Sequence, residues 1–201
     1  MVGPSAAGKS SMIDIARQHV NAPSLRDANF VIPKRWVSRP QRQNDNTVEN
    51  AFAADADELR EKTPGGIRWR RKMDLKGDRE EWYGFEAVPH GALPIYSANN
   101  AIISPDSQLE CAPADFWDHA LIFYIYAYQH IRAQRLEERS PDLIAKKPEE
   151  VVMRLAPLTD EIFDQSHFAL RTRSIPTEAN LAGDTILHLM SSIAKIKEVR
   201  E

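Results

Sequence analysis

The segment Gly3-Pro4-Ser5-Ala6-Ala7-Gly8-Lys9-Ser10 decides the fold. It satisfies the pattern G-x-x-x-x-G-K-[ST] with nothing missing, and each fixed position has a physical reason. Glycines let the backbone curl until successive N–H groups point inward at an anion. A helix starting near Lys9 adds its partial positive end. The Lys9 ammonium can reach the terminal phosphates of a nucleotide, and the Ser10 hydroxyl can ligate Mg²⁺. Met12, Ile13, Ile15 and Ala16 follow with helical spacing, which predicts a loop over 3–8 and a helix over 9–20. The candidate ATP-binding residues are therefore Gly3, Ser5, Ala6, Ala7, Gly8, Lys9, Ser10 and Ser11. Lys9 is also a catalytic candidate, and Ser10 the metal ligand. The bland alternative is an ordinary Gly-containing turn. A loop of this kind follows a buried strand, and only Met1 and Val2 precede it here. The first strand is thus expected to be abbreviated, or the chain as given to start late.

Working outward, Asn29 to Ser38 reads as extended and Gln41 to Asn50 as a polar surface loop. A short helix is expected over 55–60, ended by Pro64-Gly65-Gly66. Ile67 to Leu75 and Trp82 to Val88 form the arms of a hairpin turning at Lys76-Gly77-Asp78. Leu93 to Tyr96 and Leu121 to Tyr126 read as buried strands, the second rich in β-branched and aromatic residues. Helices are expected over Gln129 to Arg139 and Pro148 to Leu155, a last strand over His167 to Thr172, and a closing helix over Thr177 to Val199. Strands alternating with helices predict an α/β layered fold with a largely parallel sheet.

The 201 residues fit one domain, large enough to bury a core without staples. Lys and Arg total 26 against 29 Asp and Glu, a net charge of −3, which argues against a general nucleic-acid binder. Cys111 is the single cysteine and cannot form an intrachain disulfide. The longest strongly apolar run, Ala120 to Tyr128, is far shorter than the ~20 residues of a membrane helix. No signal peptide is read, and a cytoplasmic, membrane-free protein is expected.

Three further segments accompany the phosphate loop. Ser38-Arg39-x-x-Arg42, preceded by Arg35, places two planar guanidinium forks where they can grip a phosphate dianion. Trp82-Tyr83-Gly84 ends the hairpin. Arg135-Leu136-Glu137-Glu138-Arg139-Ser140 is followed by Arg154-Leu155. Each has a plainer reading: solvated arginines, a sheet aromatic, and a helix with pairs across its turns.

Together these segments resemble the guanylate kinase superfamily of P-loop kinases, over residues 3 to about 155. The resemblance implies a single P-loop NTPase domain with three layers and a mainly parallel sheet. An acceptor-binding β hairpin region is implied over about 35–90, and a helical lid over about 135–155. It implies Mg²⁺ and ATP, an acceptor phosphate held by Arg35, Arg39, Arg42 and Tyr83, and lid arginines Arg135, Arg139 and Arg154. Guanylate kinases have a serine where Arg35 stands, and an acid in the hairpin, to read guanine. Arg35 is closer to the acceptor motif of the ribose 1,5-bisphosphate phosphokinases, so ribose 1,5-bisphosphate is the first acceptor expected and GMP or another nucleoside monophosphate the second. A nucleotide-binding scaffold without catalysis is the alternative of another class; a polynucleotide-end kinase is a third. The basic residues Arg68, Arg70 and Lys72 either form a solvated strand face or share one side and line an anionic pocket. The strand expected to end in a magnesium-site acid offers Asn99 and Asn100 instead, and Asp115 and Asp118 lie too far along to be assigned.

Overall fold

In the computed structural model, Val2 bridges Tyr124 in parallel: its N–H donates to Phe123 O at 2.9 Å, and Ile125 N–H donates to Val2 O at 2.8 Å. On its other side Met1 N donates to Tyr96 O at 2.5 Å, and Ala98 N–H donates to Met1 O at 2.9 Å, the pattern of a parallel pair. The two residues ahead of the loop are therefore paired on both edges, between the 96–98 segment and the 123–125 segment. The structure describes residues 1–23, 25–41, 45, 47–72, 80–99, 102, 109–110, 116, 120–139, 141–142, 148–155, 172–176 and 182–200. Arg42, the 76–78 turn, Asn100, Cys111, Asp115, Asp118, Ser140 and residues 167–171 lie outside them.

The described chain is a mixed α/β structure. Its strands are β1 (Phe30–Val31), β2 (Arg35–Val37), β3 (Asn50–Phe52), β4 (Arg68–Lys72), β5 (Glu80–Phe85), β6 (Leu93–Pro94), β7 (Ile122–Tyr126) and β8 (Thr172–Pro176). Its α-helices are α1 (Lys9–His19), α2 (Ala56–Lys62), α3 (Gln129–Arg139), α4 (Pro148–Leu155) and α5 (Ala182–Arg200). β1 pairs β6 and β7 pairs β8, both in parallel. Beside these, β3, β2, β5 and β4 form a four-stranded sheet in that order, with β2–β3 parallel and the β2–β5 and β4–β5 pairs antiparallel.

Strand alternation divides the core in two. Met1 and Ile125 face α1 and α5, packing with Met12, Ile13, Ala16, Ile186, Met190 and Ala194. Val2, Ile122 and Tyr124 face the opposite way, onto Val37, Trp69, Tyr83 and Phe85 of the second sheet. A period of two along a strand produces this split with no further instruction. The four-stranded sheet is thereby fixed on one side of the 3–10 loop.

The helices over 129–139 and 148–155 have the expected bounds, and α1 ends one residue early, with Val20 as its cap. The described last strand is Thr172–Pro176, which overlaps the expected one only at Thr172; pairing with Ile122–Tyr126 sets its register, and Pro176 sits at its end, where a missing N–H is tolerated. The 41–50 stretch is not wholly surface loop. Glu49 and Asn50 are buried at 4% and 7% exposure, and Asn50 opens β3.

Candidate functional site

Gly3 crosses directly over β7. A Cβ there would lie 2.0 Å from the Ile125 carbonyl oxygen, so no larger residue fits. Ala6 (φ 59°) and Gly8 (φ 94°) take left-handed conformations that turn the backbone back on itself. Gly8 caps α1 without a side-chain hydrogen bond, and the first turn carries no acid. The amino end of the helix thus keeps its partial positive charge toward the loop.

Lys9 Nζ folds back into this curl and donates to Gly3 O and Pro4 O, each at 2.8 Å. Burial lowers its pKa to about 7; the Arg35 charge adds to that, Glu49 opposes it, and Arg71 and Arg139 add further. Two of those arginines come from opposite flanks. Arg71 lies on β4, and Arg139 ends α3. One turn before Arg139, Arg135 donates from Nη1 to Ala6 O at 3.3 Å, so α3 lays its basic face on the loop itself.

Ser10 Oγ donates to Glu49 Oε2 at 2.7 Å, and Ser97 Oγ donates to Glu49 Oε1 at 2.7 Å. Arg35 approaches the same carboxylate at 3.5 Å, donates from Nε to Asn50 Oδ1 at 2.9 Å, and donates from Nη1 to Ser97 O at 2.9 Å. Burial pushes the Glu49 carboxyl up. Arg35, the two serine hydroxyls and Lys9 outweigh that and hold it below its ordinary value. These links join the 3–10 loop to β2, β3 and the 95–98 segment.

A second cluster lies along the same sheet. Arg39 forms a bidentate pair with Asp45 at 2.6 and 2.8 Å, approaches Glu81 at 3.7 Å, and lies over the Phe52 ring with its guanidinium carbon 5.4 Å from the centroid. Tyr83 donates its hydroxyl to Glu81 Oε2 at 2.7 Å and stacks on Trp69 at 5.5 Å. Burial raises the Tyr83 phenol, and the Glu81 charge raises it further.

The sequence-derived candidates are thus unevenly assembled. Gly3, Ser5, Ala6, Ala7, Gly8, Lys9 and Ser10 form the loop, with Arg35, Arg135 and Arg139 acting on it. Ser11 is exposed on α1. Arg154 is engaged with Glu150 one turn back at 2.5 Å; its helix is tied to α3 by Arg132, which donates to Leu155 O at 2.6 Å. Of the basic strand, Arg68 is turned toward α2. It is buried and donates to Thr63 Oγ1, Thr63 O and Arg60 O at the end of α2. Arg70 approaches Glu80 at 3.4 Å, and the residue acting on Lys9 is Arg71, of the opposite parity.

Glu49, Asp45, Glu81 and Ser97 escape a sequence reading. For Asp45 and Glu49 the signal was weak: acids inside a polar run, with arginines nearby that need counter-charges. Ser10 Oγ and the Glu49 carboxylate are hard oxygen donors of the kind Mg²⁺ takes, so the residues present fit that ion. Among the described residues no group of three or more His, Cys, Asp or Glu could hold a metal, and no helix is long and apolar enough to cross a membrane. Comparison with known proteins finds no family model that matches the chain and no curated protein whose sequence matches it significantly.

Proposed function

We propose that the chain is an ATP-dependent kinase of the P-loop type that moves the γ-phosphoryl group onto a small phosphorylated acceptor. One observation carries the reading: the 3–10 loop curls at the start of α1 around the Lys9 amine, with arginines of α3 and β4 converging on it. The order of parallel segments supports a three-layer P-loop fold. Across the hydrogen bonds, β1, the 93–98 segment that opens with β6, Met1–Val2, β7 and β8 follow one another, with the loop leaving the middle segment.

In this reading the loop amides and Lys9 hold the β- and γ-phosphates. Mg²⁺ at Ser10 would neutralise phosphate charge when bound. An oxygen of the acceptor phosphate, already anionic, forms the new P–O bond as the bond from the γ-phosphorus to the ADP oxygen breaks. No general base is required. Arg135 and Arg139 face the charge spread over the transferring group. Arg39 and Tyr83, with Arg42 from the same motif, take the acceptor phosphate, for which Asp45 must leave the Arg39 fork. Arg154 joins only by leaving Glu150.

The acceptor we favour is ribose 1,5-bisphosphate, giving a phosphoribosyl diphosphate. Arg35 beside Glu49, and Arg39 beside Glu81, offer charges for phosphates and carboxylates for sugar hydroxyls. A GMP acceptor is the second reading, and a nucleotide-binding scaffold the reading of another class. ADP release measured across ribose phosphates, GMP and other nucleoside monophosphates ranks them. Turnover with GMP and none with sugar phosphates would overturn the acceptor ranking. Lys9→Ala should lower turnover by ~10² or more, and full activity in that variant rules out the kinase. We place the protein in the cytoplasm on the same grounds, ATP being the co-substrate.

A further inference from the structure

We propose that Glu49 is a direct ligand of the divalent cation that accompanies the nucleotide, binding it jointly with Ser10 Oγ. The inference rests on the phosphate-loop reading above and supplies the acid that the strand ending in Asn99 lacks. Ser10 Oγ and Glu49 Oε2 lie 2.7 Å apart. Two neighbouring ligands of an octahedral Mg²⁺ with bonds of ~2.0–2.1 Å are ~2.9 Å apart, so the ion needs almost no rearrangement of this pair. Ser10 would turn its hydroxyl proton away and present a lone pair.

The carboxylate is prepared for such work. At 4% exposure it is sheltered from water, its far oxygen is held by Ser97 Oγ, and Arg35 stands 3.5 Å from that same oxygen. The two oxygens therefore divide their roles, one anchored and one turned to the loop. Oxygen anchored in this way is how proteins orient a metal ligand. Magnesium would complete its sphere with phosphate oxygens and water. The competing account is that Glu49 only balances the charges of Arg35 and Lys9.

Calorimetric titration with ADP, in EDTA and in Mg²⁺, separates the two. Wild type should bind ADP more tightly in Mg²⁺. Glu49→Gln should lose about tenfold or more of that enhancement. Its metal-free affinity should hold or rise, because a negative charge beside the phosphates is gone. Full retention of the enhancement in Glu49→Gln overturns the proposal and leaves the kinase reading intact. Absence of ADP binding by wild type in both media overturns the kinase reading and this one with it. Should Glu49→Gln not fold, wild type answers alone. Pulsed electron paramagnetic resonance of its Mn²⁺–ADP complex, with glutamate ¹³C-labelled at the side-chain carboxylate, should show a carbon coupling to the metal. Its absence overturns direct ligation.

Discussion

Lys9 carries a conflict that makes it measurable. Its nitrogen lies among Arg35, Arg71 and Arg139 in a buried curl, and its pKa falls from 10.5 to about 7. A nucleotide phosphate placed in that curl would favour the ammonium and draw in a proton. Titration of ADP at pH 8 in buffers of different ionisation enthalpy should therefore show proton uptake, and affinity should fall as pH rises through 7. An affinity flat from pH 6 to 9 would remove Lys9 from the phosphate site. The same shift has a sign for stability. Between pH 7 and 10.5 the unfolded chain holds a proton on Lys9 that the folded chain does not, so this residue's contribution to stability rises with pH across that window. Lys9→Met should flatten that rise and raise the melting temperature at neutral pH, while abolishing nucleotide binding; a lower melting temperature would contradict it. Residues that bind anions are often tolerated at a cost to stability.

At the scale of elements, β4 and α2 are joined by one side chain. Arg68 reaches the last turn of α2, where unpaired carbonyls and the helix dipole favour a cation, and Thr63 Oγ1 donates to Leu59 O beside it. Glu110 adds a carboxylate 3.7 Å away. Replacing Arg68 with Met should cost about 2–3 kcal/mol, because buried acceptors lose their donor. A urea midpoint within error of wild type would show that the strap is idle. This residue also marks what the sequence could and could not tell. The helices over 129–139 and 148–155 were legible in the sequence, bounds included. Parity along β4 was legible too: Arg68 and Arg70 fall on one face. Which face meets the phosphate loop was not, since it depends on β5 pairing with both β4 and β2. Glu49 was hidden for the same reason. Its partners Ser10, Arg35 and Ser97 lie up to 48 residues away, and only the folded chain brings a polar stretch into the interior. The turn over 3–8 and the helix after it were legible, because that conformation is local.

For the whole molecule, the 3–10 loop hangs between two cores that meet at Met1 and Val2. Met1 belongs to the core under α1 and α5, and Val2 to the core shared with the four-stranded sheet. Binding at the loop should therefore be felt as global stability rather than as local ordering, since the loop's anchors Met1, Val2 and Ile125 are buried in both cores. Mass action gives ~2.7 kcal/mol at a ligand concentration one hundred times Kd. For a chain of this size that is roughly a 5–10 °C rise in Tm. Mg²⁺–ATP should produce such a rise in wild type and none in Lys9→Ala. The far core supplies a control. Met190 is 2% exposed between α5 and α1, so Met190→Ala should cost ~2–4 kcal/mol by leaving a cavity. It belongs to the core under α1 and α5 and not to the 3–10 loop, so any nucleotide-induced rise should survive from a lower starting Tm. If Met190→Ala erased the rise while remaining folded, α5 would be setting the shape of the loop through α1, and the loop could not be treated as a locally determined anion site.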